Sequence, residues 1–183
     1  MFFGLTEEQE MIVGTVRSFV ENEIYPHENL VESKGSVPTE IAQDIKQKCI
    51  NLGFYACNFP ENIGGAGLNH LDFALVEREL GRGSMALTHF FGRPQNILMA
   101  CKDEQIEKYL LPAVRGDLMD ALAMTEPDAG SDVRGMNCFA KSEGSDWIVN
   151  GTKHFISGAE HADFIIVFIA TGEEQTERGP KKK

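Results

Sequence analysis

GDLMDALAMTEPDAGSD, residues 116–132, is the stretch at which the chain changes its period. Upstream of it, from residue 5 to about 116, apolar residues recur at spacings of three and four, as they do in helices that bury one face. Downstream the period falls to two. Residues 119–124 read as a buried strand, and after the loop TEPDAGSDVRG residues 137–142 alternate. Residues 147–149 and 153–156 flank Asn150-Gly151, a pair that strongly signals a hairpin turn. FIIVFIA, residues 164–170, reads as a strand buried on both faces. The predicted fold class is therefore α+β and multidomain: an N-terminal all-α helical bundle over residues 1–117, then the start of an antiparallel β-barrel-like domain over 118–172. Residues 173–183, EEQTERGPKKK, read as a polar loop or disordered tail. About 65 residues give the β part some four strands, few for a sheet with so apolar a face, so the chain is expected to be truncated.

Five helices are predicted in the first part. Thr6 and Gln9 form a capping box ahead of Ile12, Val16, Phe19 and Val20 on one stripe, and Pro26 should end or kink that helix near Tyr25. A second helix opens at Pro38, turns Ile41, Ile45 and Cys49 inward with Leu52 nearby, and stops at Gly53. The third is capped by Asn69 with Asp72 at N3, and Phe73, Val76 and Leu80 make its inner face. Residues 84–100 read as a largely apolar helix interrupted near 92–94, and residues 103–114 as a last helix capped by Asp103.

Composition narrows the function classes. The 183 residues carry 17 Lys and Arg against 28 Asp and Glu, a net charge of −11, so a phosphate backbone is repelled and nucleic acid is an unexpected partner. The longest apolar run, residues 164–170, falls far short of the roughly 20 residues that span a bilayer, so no membrane span is expected. Residues 1–6 lack a basic region and Glu7, Glu8 and Glu10 follow, which argues against a secretory or transit leader. The four cysteines show no CxxC spacing and read as reduced, mostly buried thiols of an intracellular protein.

The chemistry concentrates in residues 125–132. Leaving a buried strand, they offer a hydroxyl, a proline-fixed turn and small residues whose backbone can approach a ligand. MTEPDAGSD (124–132), with FPENIGGAGL (59–68) upstream and IVNGTKHFISG (148–158) downstream, resembles the acyl-CoA dehydrogenase family. The likeness runs from about residue 5 to 170 and covers the family's helical domain and the first part of its middle β-domain. It implies FAD as cofactor, with Leu122, Ala123, Met124, Thr125, Gly130 and Ser131 along the flavin. The Met124 backbone and the Thr125 hydroxyl would bond the isoalloxazine edge, and Ser131 would lie where cofactor and acyl-CoA substrate meet. Phe155, Ile156 and Ser157 match a segment where the family usually has Trp-Ile-Thr: Phe155 would cover the ring face and Ser157 would keep the hydroxyl. Thr125 and Ser157 are therefore expected to point into one cleft.

The implied reaction is oxidation of an acyl-CoA thioester across its α and β carbons, as in fatty-acid β-oxidation, with electrons passing to an electron-transfer flavoprotein. A homo-oligomer is expected for the full-length protein, in the cytoplasm or, in a eukaryote, the mitochondrial or peroxisomal matrix. Two departures stand out. Asp128 replaces the Gly common in relatives, and the family's catalytic base comes from a C-terminal domain beyond this sequence, so no catalytic residue is assigned. An acyl-CoA oxidase or flavin monooxygenase of the same fold, or a non-catalytic binding chain, fits the same residues.

Other motifs read as structural. Gly64 to Gly67 lacks the context of a phosphate loop and reads as a turn. His154, His161 and Asp163 are metal-ligand types whose spacing favours surface or hydrogen-bonded roles. Glu77 and Glu79 are expected on a solvated helix face.

Overall fold

Thr6 opens α1, Glu7–Phe19, with both halves of the predicted capping box: its hydroxyl accepts from the Gln9 amide at 3.2 Å, and the Gln9 side chain accepts from the Thr6 amide at 3.1 Å. The computed structural model describes residues 4–176 and 179–182. The chain divides into two compact units, Met1–Asp117 and Leu118–Lys183.

Pro26 kinks the first helix. It has no N–H, and its ring crowds the carbonyl four residues back. A wider π-turn, Val20–Ile24, absorbs the misfit, closed by the Tyr25 amide on the Val20 carbonyl, and the helix resumes as α2, Tyr25–Lys34. Pro112 is handled in the same way, by a π-turn at Ile106–Leu110 before α6, Leu111–Arg115. Asp103, expected to cap this last helix, sits at φ 49°, and Gln105 instead accepts from the Lys102 amide at 3.1 Å.

α3, Thr39–Asn51, buries Ala42, Ile45 and Cys49. Leu52 departs from expectation: it lies past the last helical residue, where the chain turns away through Gly53, and is 48% exposed. α4, His70–Leu80, is capped as predicted, with Asn69 Oδ1 accepting from the Leu71 and Asp72 amides. Its buried face comprises Asp72, Leu75, Val76, Glu79 and Leu80, while Phe73 is half-buried.

The solvated face expected for Glu77 and Glu79 is therefore corrected. Glu79 shares the stripe of Asp72 and Val76, and its carboxylate is met by Arg17 reaching from α1 at 3.0 and 3.2 Å. Gln9 donates to Asp72 at 2.8 Å near the other end of the same two helices. Matching ends are thus paired, and α1 and α4 run parallel. Glu77 is half-exposed and pairs with Arg93 at 3.0 Å.

The apolar helix expected over 84–100 with an interruption near 92–94 is broken further, into α5, Met85–Thr88, and two 3-10 turns, His89–Phe91 and Asn96–Ala100. The break comes from Gly92 and Pro94. Gly92 adopts φ 82° and presses on Tyr55 so closely that a Cβ would lie 1.8 Å from its ring. The core of this unit gathers Val16, Val20, Ile24, Ile45, Cys49, Cys57, Phe59, Val76, Leu80, Leu87 and Phe91. Phe19 meets Phe91 edge-on at 5.3 Å. Each such buried side chain contributes roughly 1.5–3 kcal/mol.

The second unit opens with β1, Asp120–Ala123, whose Ala121 and Ala123 face inward. β2, Phe139–Glu143, and β3, Asp146–Asn150, form an antiparallel hairpin with Glu143 opposite Asp146. Its turn is Gly144-Ser145, and this corrects the hairpin expected at Asn150-Gly151. Gly151 is there for close packing instead: at φ 139° its missing Cβ would lie 2.6 Å from Cys138 Cα. Residues 153–156, expected as a strand, are irregular.

β4, Phe164–Val167, pairs with β1 in parallel, Asp120 opposite Phe164 through Ala123 opposite Val167. Antiparallel pairing was the expectation here, but the intervening residues 124–163 are long enough for a crossover. Ile165 and Val167 are 48% and 44% exposed, so β4 is not buried on both faces within this chain. Ala129, Met136 and Ala170 form a small core with Phe168 against it. β5, Glu173–Thr176, and β6, Gly179–Lys182, form an antiparallel ladder within the stretch expected as a loop or tail, and residues 177, 178 and 183 lie outside the described residues.

Candidate functional site

The end of β1 and the irregular segment 153–157 are tied together. The His154 amide donates to the Thr125 carbonyl at 3.0 Å, and the Lys153 ammonium donates to the Met124 carbonyl at 2.9 Å. Lys153 also donates to Glu126 Oε1 at 2.7 Å. The two stretches singled out from the sequence, 29 positions apart at Met124 and Lys153, thus become neighbours through backbone and side chain alike.

Glu126 is the hub of this junction. Its side chain is 3% exposed, and besides Lys153 it accepts from the amides of Asn137 and Cys138 at the entry to β2. Its own backbone exchanges hydrogen bonds with Ala129 at 2.9 and 3.3 Å, closing the Glu-Pro-Asp-Ala turn. Burial pushes the carboxyl pKa up, but Lys153 and the two amides outweigh it and hold the group below its ordinary value. Glu126 is thus an anion with all its partners inside the fold. Neither it nor Lys153 figured among the expected site residues, and no spacing rule links a carboxylate to a lysine 27 positions on.

Leu122, Met124 and Thr125 are half-buried and Ala123 is buried, its carbonyl accepting from the Phe168 amide at 3.0 Å. Gly130 and Ser131 lie exposed on the loop beyond the turn. Ile156 is half-buried and Ser157 exposed. Phe155 is the unusual member. It stands at φ 55°, a left-handed conformation that costs a side-chain-bearing residue roughly 1–2 kcal/mol. Its ring is 85% exposed, touched on one side by His154 at a centroid distance of 4.1 Å. A strained backbone that holds a bare aromatic ring beside a strand end carrying a hydroxyl suits a flat ligand with a polar edge. These residues fit the isoalloxazine ring of FAD, which offers an apolar face and a polar rim.

The other candidates are committed elsewhere. The amides of Gly64, Gly65 and Gly67 donate to the Glu61, Pro60 and Phe59 carbonyls, so most donors of the glycine run are spent closing a turn. Asp163 accepts from the Met119 amide at 2.8 Å and fixes the start of β4. Among the described residues, no group of three or more His, Cys, Asp or Glu could hold a metal ion. Burial raises the Cys57 thiol to about 11 and Cys49 further still, which makes both poor nucleophiles. All four cysteines are free. No described helix is long and apolar enough to cross a membrane.

Residues 6–117 match the family model described as acyl-CoA dehydrogenase, N-terminal domain, and residues 121–182 match that described as acyl-CoA dehydrogenase, middle domain. A 3-(aryl)acrylate reductase of Clostridium sporogenes is 36% identical over 98% of this chain and 47% of its own length. The caffeyl-CoA reductase-Etf complex subunit CarC of Acetobacterium woodii is 32% identical, again over 98% of this chain and 47% of its own. A glutaryl-CoA dehydrogenase of Mycobacterium smegmatis solved in complex with FADH2 superposes with a TM-score of 0.76 at 29% identity, covering 97% of this chain and 45% of that one. The chain spans about half the length of the curated relatives it matches.

Proposed function

The chain belongs to the acyl-CoA dehydrogenase family, and from that premise we propose that the protein is an FAD-dependent oxidoreductase acting on the α and β carbons of an acyl-CoA thioester. The observation that carries the reading is the junction itself: the β1 end and the 153–157 segment, held together, present Thr125 beside a bare, strained Phe155. The Met124 backbone and the Thr125 and Ser157 hydroxyls would hold the flavin's polar edge, and Phe155 with Ile156 its face. Leu122, Ala123, Gly130 and Ser131 line the approach, and Ser131 also meets the acyl-CoA. When bound, FAD accepts two electrons as a hydride from the substrate's β-carbon.

This chain's own residues bind and orient. Thr125 and Ser157 supply hydrogen bonds to a polar rim, Phe155 supplies an apolar platform that excludes water, and both act through preorganised geometry. Glu126 is not available to take the α-proton, because it is committed to Lys153, Asn137 and Cys138. The proton acceptor is assigned to the part of the protein outside this sequence. An electron-transfer flavoprotein is the proposed redox partner, a homo-oligomer the proposed assembly, and the cytoplasm or an organelle matrix the proposed location. Two relatives carry reductase names, so the same site run in reverse, from reduced flavin to an α,β-unsaturated acid or thioester, is the second reading. Anaerobic mixing of the flavin-loaded whole protein with an acyl-CoA tests the first. Bleaching of the oxidised flavin band supports oxidation, whereas bleaching only by an external donor, reversed by an unsaturated acceptor, supports reduction.

A further inference from the structure

Lys153 is where the site's architecture and its electronics meet. Its side chain is 8% exposed, and its ammonium spans from the Met124 carbonyl at 2.9 Å to the Glu126 carboxylate at 2.7 Å. Both acceptors lie at the β1 exit, while Lys153 precedes the three residues that form the second wall of the site. The neighbouring His154 amide adds a backbone bond between the two segments, to the Thr125 carbonyl. Glu126 fixes the ammonium in turn, because its other bonds anchor it to the start of β2. An ammonium so held has little freedom, and it faces one peptide unit in particular. The Met124 carbonyl and the Thr125 N–H belong to the same amide, so a cation on the oxygen draws electron density from the nitrogen and makes that N–H a stronger donor.

We propose that Lys153, oriented by Glu126, is a positioning residue that sets the spacing between the Met124–Thr125 strand end and the Phe155–Ser157 wall and polarises the Met124–Thr125 peptide toward the bound ring. The proposal rests on the flavin reading of the site. A general stabilising role would be felt throughout the unit, whereas this role acts at two places: the bond between the segments and the electronics of the ring.

The test uses Lys153→Met, Lys153→Arg and Glu126→Gln with two readouts. In flavin-free protein, amide hydrogen exchange is followed at His154, with Ala140, which donates to the Ala170 carbonyl at 2.8 Å, as the reference within the same unit. Lys153→Met should speed exchange at His154 about 5- to 10-fold, as expected for losing roughly one hydrogen bond of local stability, and leave Ala140 unchanged. Lys153→Arg, which keeps the charge and can reach both acceptors, should restore protection. Glu126→Gln keeps size and one acceptor while removing the anion, and should give a smaller increase; it decides the matter if Lys153→Met does not fold. In FAD-loaded whole protein, Lys153→Met and Glu126→Gln should shift the flavin midpoint potential to more negative values, because a weaker donor stabilises the reduced ring less. Unchanged exchange at His154 in a folded variant overturns the proposal, as does equal acceleration at His154 and Ala140. If the wild-type protein takes up no FAD, the flavin reading fails, and the exchange arm still decides whether Lys153 sets the spacing.

Discussion

Replacing Glu79 with Gln should cost the helical unit about 2 kcal/mol, and the structure says why the figure is not larger. Breaking a buried ion pair commonly costs about 3–5 kcal/mol because an uncompensated charge stays buried. Here the carboxylate is 2% exposed but its partners are not buried: the Arg17, Arg78 and Arg82 side chains are 45%, 53% and 44% exposed. Once Glu79 is neutral, the guanidiniums turn into water and none is stranded. What is lost is the charge-assisted pair from Arg17 at 3.0 and 3.2 Å and that from Arg78 at 2.8 and 3.0 Å, for a net of about 1–3 kcal/mol. The sign of the pH dependence follows. Arg17 above all holds the Glu79 carboxyl below its ordinary value, against the opposing effect of burial and with Arg78 assisting. A depressed folded-state pKa gives stability that is present above the unfolded carboxylate pKa of about 4.3 and lost as pH falls through the lower, folded value. Urea unfolding followed by far-UV circular dichroism should therefore separate wild type and Glu79→Gln at pH 7, with the difference shrinking below about pH 4. A double-mutant cycle with Arg17→Ala should give a favourable coupling at pH 7. A coupling indistinguishable from zero, or a gap that widens in acid, would refute the clamp.

Phe155→Ala should weaken FAD binding about 3- to 10-fold, the worth of an aromatic stacking contact, and Phe155→Gly should weaken it similarly while raising unfolding stability through relief of φ 55°; isothermal titration and urea melts read the two effects. Gly151→Val should disorder the second unit, because any Cβ there meets Cys138 Cα at 2.6 Å, and the near-UV circular dichroism of Trp147 reports it. The 183-residue chain alone should bind FAD weakly at best and show no acyl-CoA oxidation in a dye-reduction assay; robust turnover would require a base within it, with Glu126→Gln and Asp128→Asn the first variants to make.

How far the sequence could be read depended on whether each signal was local. The capping box at Thr6, the Asn69 cap and the switch from helix to strand near residue 117 are short-range patterns, and the structure carries all three. Misreadings came where long-range packing decides. The glycine at 151 looked like a turn residue, but it serves close approach to Cys138, and the turn falls seven residues earlier at Gly144. Glu79 looked solvated because its partner Arg17 lies on another helix. The break near 92–94 was legible from Gly92 and Pro94, but the pressing of Gly92 on the Tyr55 ring was not. At the candidate site, the residues proposed to flank the flavin were nameable from motifs, whereas the Glu126–Lys153 pair that joins their two segments was not. A buried ion pair leaves no period and no fixed spacing, so only the folded chain displays it.

The central claim is that residues 122–125, 130–131 and 155–157 form one flavin-facing surface. The most direct measurement is an amide chemical-shift map of the chain titrated with FAD, which registers even weak binding. Shift changes concentrated at Leu122 to Thr125, Ser131 and Phe155 to Ser157, needing about 3- to 10-fold more FAD in Phe155→Ala, are the predicted result. Changes confined to other parts of the chain, such as the Gly64 to Gly67 turn, would contradict it.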